Sequence, residues 1–133
     1  MTNKLIEVGF KKQVQPVRIA GLDFEIKTGK KYRDQYLAAL PKMLEGIQEQ
    51  EKAINEASKS GDYGAIVEAN KKVELVVKNV IDLVLGEGAF EKLMYAADDD
   101  IDLVVGAFLE VAERYKKLQT KQKAQSYIDG KKK

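Results

Sequence analysis

Two long runs of apolar residues at helical spacing constrain the fold of this chain more than any other feature. Within residues 63–85 and again within residues 99–123, an apolar side chain recurs every three or four positions. The first run consists of Ile66, Ala69, Val73, Val76, Val77, Val80, Leu83 and Val84, and the second of Ile101, Val104, Val105, Phe108, Val111, Ala112, Tyr115 and Leu118. This spacing predicts two amphipathic helices whose apolar faces pack together.

The segment between the two runs predicts a hinge followed by one short helix. Gly86 and Gly88 can both take the positive φ that ends a helix, so we expect them to set the angle of the short helix. Asp98, Asp99, Asp100 and Asp102 precede the next run, where acidic side chains cap free N–H groups and suit the helix dipole. Neither feature completes a phosphate loop or a calcium loop.

The short helix carries the tentative partner-binding residues. Phe90, Leu93, Met94 and Tyr95 either belong to the core or form an exposed contact patch. A helix this short has limited room to bury all four, so part of the set is expected to face outward.

The N-terminal part of the chain predicts a β-hairpin and a less regular arm. Two alternating runs flank Ala20-Gly21, which fits a two-residue turn that pairs Ile19 with Leu22 and Arg18 with Asp23. Pro16 requires an edge that is not paired on its donor side. Residues 4–12 alternate loosely and are expected to form a short edge strand or an ordered arm.

A long helix is predicted from residue 30 to 58. Its apolar stripe consists of Tyr36, Leu40, Met43, Leu44, Ile47 and Ile54, and Pro41 is expected to kink or break it. The fold class is therefore α+β, mostly α, with an N-terminal β-hairpin followed by three or four amphipathic helices. Residues 1–120 are expected to form a single domain, and residues 121–133 a basic, disordered tail.

Composition removes several classes of chemistry. The chain has no His and no Cys, which removes imidazole bases, thiol nucleophiles and the usual zinc ligands. Carboxylate pairs such as Glu49 and Glu51, or Glu110 and Glu113, have no apolar surroundings to shift their pKa values and are expected to be solvated. We therefore expect no catalytic residues, no cofactor and no bound metal. The sequence also contains neither a membrane-spanning run nor a signal peptide, which predicts a cytoplasmic protein.

Charge is unevenly distributed along the chain. From Arg114 onward there are eight Lys or Arg residues and one acid, so the preceding body has a net charge of about −5. The lysine-rich end favours a solubilising tail, and the alternative is a contact to nucleic acid or an acidic partner.

The segment VIDLVLGEGAFEKLMYAADDDIDLVVGAFLEVAERY resembles the small tail assembly chaperones of long-tailed bacteriophages. The shared pattern is a helix with an apolar-acid-apolar end, then Gly-Glu-Gly-x-x-Glu-Lys-apolar, then a closing amphipathic helix. The GLDFEIK strand followed by a long helix is similar too. Where relatives often carry Phe or Tyr before the glycines, this chain has Val80, Ile81 and Val84, and the lysine tail is outside the pattern.

The resemblance implies a non-enzymatic, phage-encoded or prophage-encoded protein of the host cytoplasm. Such a protein binds the aggregation-prone tape measure protein, an apolar helical client, and keeps it soluble until the tail tube polymerises. Self-association is a further expectation, and no membrane contact is expected. The alternative function is a small nucleic-acid-associated regulator that acts through the basic C-terminal tail.

Overall fold

The computed structural model describes residues 3–10 and 13–131, with the side chains of residues 119–131 outside that description. A two-stranded antiparallel hairpin precedes four helices. The elements are β1 (Val14–Ile19), β2 (Leu22–Lys27), α1 (Lys30–Ser60), α2 (Tyr63–Leu85), α3 (Ala89–Ala96) and α4 (Ile101–Lys131). The predicted α+β, mostly helical class is confirmed.

The hairpin forms in the predicted register. Ile19 pairs with Leu22, and the exposed Arg18 and Asp23 side chains form an ion pair of 2.7 Å. Ala20 and Gly21 form the turn with φ values of 51° and 80°, the combination of a type I′ turn. The face that contains Ile19, Phe24 and Ile26 is buried. The hairpin therefore covers the helices with its apolar face and leaves its charged face in water.

The segment before the hairpin does not form the edge strand that was one of its two predicted states. Residues 3–10 have no regular secondary structure, and residues 11 and 12 lie outside the description. Four large apolar side chains of this segment are 82–100% exposed: Leu5, Ile6, Val8 and Phe10. We call residues 3–10 the arm. It is unusual for one segment of a folded protein to leave so many large apolar side chains exposed to solvent.

Helix α1 is continuous through Pro41, so the predicted break does not occur. Its buried residues Tyr36, Met43 and Ala57 are separated by multiples of seven, which is a narrower stripe than predicted, and Leu44 is 43% exposed. The stripe is narrow because α1 packs mainly against one helix, α2. Gly46 allows this close approach, since a Cβ there would lie 3.3 Å from Cγ1 of Val76.

Helix α2 has the predicted bounds and forms the centre of the core. The Asp62 carboxylate caps its N-terminus by accepting a hydrogen bond from the Ala65 N–H at 3.1 Å. Ile81, absent from the predicted stripe, is fully buried, whereas Leu83 is 40% exposed. Two residues along a helix correspond to a rotation of about 200°, which turns Leu83 away from the face centred on Ile81.

Gly86 and Gly88, which were predicted to set the angle of α3, both have the expected positive φ. Gly86 has φ 109° and ψ 156°, a conformation that is essentially restricted to glycine, and Gly88 has φ 84°. Helix α3 is capped from a distance, because the Asp82 carboxylate of α2 accepts a hydrogen bond from the Phe90 N–H at 2.9 Å. The exposed Lys78–Glu91 ion pair, at 3.2 Å, also links the two helices.

The aspartate cluster caps α4, as predicted. The Asp100 carboxylate accepts hydrogen bonds from the N–H groups of Asp102 at 3.1 Å and Leu103 at 3.4 Å. Asp98 and Asp99 lie in the left-handed region with φ values of 55° and 62°, which aspartate tolerates better than most residues. Helix α4 thus begins at Ile101, two residues later than predicted.

The far end of α4 differs from its predicted end. Leu118, the last residue of the predicted stripe, is 38% exposed, and the helical backbone continues to Lys131 instead of ending near Lys123. Because the side chains of residues 119–133 lie outside the description, the independence of the basic tail from the domain stays a prediction.

The turn of the hairpin offers a test of stability. Ala20 has a positive φ that its Cβ disfavours by about 1–2 kcal/mol, whereas Asn-Gly is the preferred sequence of this turn type. Ala20→Asn should therefore raise the free energy of unfolding by about 1 kcal/mol, measured by chemical denaturation. Ala38→Asn, at an exposed position inside α1, is the matched control and should lower it by about half that amount. A destabilised Ala20→Asn protein would contradict the turn assignment.

The distant cap of α3 offers a second test. Asp82→Ala removes the acceptor for the Phe90 N–H and should cost about 0.5–2 kcal/mol in thermal or chemical unfolding. Asp82→Asn keeps an acceptor oxygen and should retain most of that stability. Equal losses in the two variants would show that the negative charge of Asp82, and not its hydrogen bond, stabilises α3.

Candidate functional site

The structure divides the four residues that the sequence indicated for partner binding. Phe90 and Leu93 are buried, with 7% and 3% of their surface exposed, while Met94 is half-buried and Tyr95 is 88% exposed. Phe90 and Leu93 lie three residues apart on one face of α3 and join the core. Of the four residues, only Met94 and Tyr95 therefore contribute to the free surface of the short helix, and Leu93 has a structural role.

A pocket with a mostly apolar lining lies elsewhere, between α1 and α4. This groove has a volume of about 550 Å³. Its α1 wall contains Leu37, Leu40 and Pro41, and its α4 wall contains Val111, Ala112 and Tyr115; the floor contains Ile26, Tyr36, Val84 and Phe108. Strand β2, α1, α2 and α4 thus all contribute apolar surface to one concavity, which we call the groove.

The groove exists because the contacts of α4 with the core are confined to its first turns. Within the described residues of α4, only Val104 and Phe108 are buried, at 2% and 1% exposure. Helix α1 packs along α2 and makes few close backbone contacts with α4. Beyond Phe108, therefore, the two helices form opposite walls of the groove.

The α1 wall contributes an exposed anchor and a backbone acceptor. Leu37 is 71% exposed although it lines an apolar groove. Pro41 has no N–H, so the carbonyl of Leu37 receives no α-helical hydrogen bond from the residue four positions later. An apolar side chain and a polar backbone group thus lie side by side, as in sites where a few polar contacts orient an apolar ligand.

The rim of the groove is predominantly basic. Lys30, Arg33 and Lys116 are opposed there by one acid, Asp34. The Nε of Arg33 is buried and has no hydrogen-bond partner among the described residues. The positive charges of the rim favour a ligand that brings a carboxylate or carbonyl oxygen.

Two tyrosines lie in the groove in neutral form. Burial is the main cause that raises the pKa of Tyr36, with smaller contributions from Tyr115 and Tyr32. The Tyr36 hydroxyl donates a hydrogen bond to the Lys27 carbonyl at 2.9 Å. Burial also raises the pKa of Tyr115, and the nearby charge of Arg33 partly offsets this. A phenol with a raised pKa remains protonated at neutral pH, so both side chains act here as amphipathic packing groups.

Sequence reasoning did not identify this groove. Leu37 was outside the predicted stripe of α1, and Pro41 was interpreted only as an interruption of the helix. A usable signal was present, because Leu37, Leu40 and Pro41 follow a three-and-four spacing on α1. The spacing does not predict the position of α4, because that position depends on contacts made by α3 and the aspartate turn.

The described residues contain no group of three or more acidic side chains placed to hold a metal ion. Within the same residues, no helix has both the length and the apolar character that crossing a bilayer requires. Of the acids considered for catalysis, Glu110 and Glu113 lie on the surface of α4 in i,i+4 ion pairs with Arg114 and Lys117. Glu49 and Glu51 are exposed on α1.

Comparisons with known proteins found no relative of this chain. No protein-family model, no curated protein and no solved structure matches the chain.

Proposed function

We propose that this protein is a non-enzymatic tail assembly chaperone that binds an apolar helix of a tape measure protein in the groove. The observation that carries the proposal is the open groove of about 550 Å³ between α1 and α4. The resemblance of residues 80–115 to tail assembly chaperones supplies the identity of the client. The site of action would be the host cytoplasm, where tails assemble.

An amphipathic helix is the occupant that best fits the groove. Two helices form its long walls, and a third helix could place side chains at positions i, i+3 or i+4, and i+7 between them. Each large apolar side chain that becomes fully buried contributes about 1.5–3 kcal/mol. Association itself costs several kcal/mol, so a few anchors would give reversible binding. Reversibility suits a chaperone that must release its client to the growing tail tube.

The rim indicates which helices would be preferred. Lys30, Arg33 and Lys116 favour a client whose apolar stripe is flanked by acidic residues. This charge preference provides selectivity over purely apolar helices, because complementary charges across an interface favour the matched partner.

Co-expression with the tape measure protein of the same genome tests the proposal. Leu37→Asp places a charge in the groove at a position that is 71% exposed, so the protein should fold normally while co-purification of the client falls about tenfold or more. Leu75→Asp, at an exposed position of α2 outside the groove, is the matched control and should bind like the unmodified chain. Circular dichroism of both variants checks the fold.

Three outcomes would contradict the proposal. Normal client solubility and binding with Leu37→Asp would exclude the groove. Loss of binding with Tyr95→Asp alone would assign the site to the exposed side of α3. Salt-dependent binding of mixed-sequence DNA or RNA, lost after truncation at Thr120 and without any client binding, would favour the regulatory alternative.

A further inference from the structure

The arm and the outer edge of β2 form complementary surfaces. We infer that the protein forms a dimer in which the arm of each copy pairs with the outer edge of β2 in the other copy. This inference concerns self-association and does not depend on the identity of the client.

The arm has the pattern of a strand without a partner. Ile6, Val8 and Phe10 alternate along it, so an extended backbone would place all three on one face. These side chains are 82–100% exposed. Contiguous apolar surface of this kind in a folded protein marks an interaction site, and alternation at a period of two favours pairing in a sheet over packing as a helix.

Only one edge of the hairpin suits an added strand. The N–H of Thr28 donates a hydrogen bond to the carbonyl of Gln13 at 2.9 Å. Residue pairs with and without hydrogen bonds alternate along an antiparallel ladder, so Pro16 belongs to a pair without hydrogen bonds. The donor that Pro16 lacks would have faced outward, so the outer edge of β1 is interrupted at its middle. The backbone groups of Asp23, by the same alternation, point outward from β2. No further strand pairs with β2 among the described residues.

The length of the available edge matches the arm. At its far end the carbonyl of Lys27 already accepts the hydrogen bond of the Tyr36 hydroxyl. The edge that remains covers residues 22–26, and the alternating part of the arm covers residues 6–10. Both segments contain five residues, enough for one short strand.

Charge and shape beside β2 also fit the arm. A cleft of about 440 Å³ separates β2 from the junction of α2 and α3, with Leu85 and Ala89 as its apolar lining. On its rim the Asp23 carboxylate already pairs with Arg18, so the exposed Glu87 is the acid that the lysines around the arm, Lys4, Lys11 and Lys12, would approach. Opposite charges would orient the strand, while backbone hydrogen bonds and apolar contacts would hold it.

Exchange between two copies satisfies both arms at once. If each arm crosses to its partner, the same two surfaces meet twice around a two-fold axis, which closes the assembly at a dimer. Each sheet would then contain three strands, a size at which a sheet becomes more stable than an isolated hairpin.

Sedimentation equilibrium of the full chain over a range of concentrations tests the inference. The unmodified chain should form dimers and no larger species. Val8→Asp and Phe10→Asp alter exposed side chains, so circular dichroism should not change, while the dimer dissociation constant should rise about tenfold or more. Leu75→Asp, which also replaces an exposed apolar residue, is the matched control and should leave dimerisation intact.

The cleft side is tested with Glu87→Lys, which should weaken the dimer at low salt and have less effect at high salt. Cross-linking of a mixture of isotope-labelled and unlabelled chains should join arm peptides of one chain to β2 peptides of the other. A chain that is monomeric at all concentrations, or a dimer that persists in both arm variants, would overturn the inference. Arm-to-β2 cross-links found only within single chains would overturn it as well.

Discussion

The position of α4 depends on the burial of one side chain, Phe108, in the core. Phe108 is 1% exposed and lies with the fully buried Val77 and Ile81 of α2 and Met43 of α1 in one apolar cluster. Since burying a large side chain contributes about 1.5–3 kcal/mol, and an exposed ion pair about 0–1 kcal/mol, these contacts outweigh the surface pairs of α4. The same aromatic ring forms part of the groove floor, so the core and the candidate site share a residue.

Two turns with unusual backbone conformations set the orientation in which α4 packs through Phe108. Gly86 and Gly88 turn the chain into α3, and Asp98 and Asp99 turn it again into α4 with positive φ values. The turns are supported by two carboxylates that accept hydrogen bonds from backbone N–H groups, Asp82 at the start of α3 and Asp100 at the start of α4. The geometry of the groove is therefore determined by residues that do not line it.

Local patterns were sufficient to predict most of the fold. The turn at Ala20-Gly21 specifies the hairpin register, and the caps at Asp62 and Asp100 lie where acidic residues precede apolar runs. The errors concern side-chain orientation within a helix. Leu44 and Leu83 were assigned to apolar faces that turned out narrower or rotated, because hydrophobicity alone does not tell which neighbour a helix will pack against. Of the two states expected at Pro41, a kink or a break, the break does not occur, because α1 continues through this residue.

The candidate site was less predictable than the fold for a physical reason. The short helix α3 was chosen for its apolar residues, yet the core needs Phe90 and Leu93 to hold α3 between α2 and α4. The groove instead combines residues from four elements, β2, α1, α2 and α4, which span most of the chain. Such a surface follows from the angle between α1 and α4. That angle results from the two turns and from the burial of Phe108 in the core.

The most direct test of this account is a distance measurement between the two walls in the free protein. Because the chain has no cysteine, spin labels can be attached only at introduced sites, such as Ala38→Cys on α1 and Glu113→Cys on α4. Double electron–electron resonance should give one narrow distance population, with the helix axes farther apart than the about 8–10 Å of directly packed helices. A population in which α1 and α4 are in direct contact would contradict the claim that these helices form the walls of a groove that is open in the free protein.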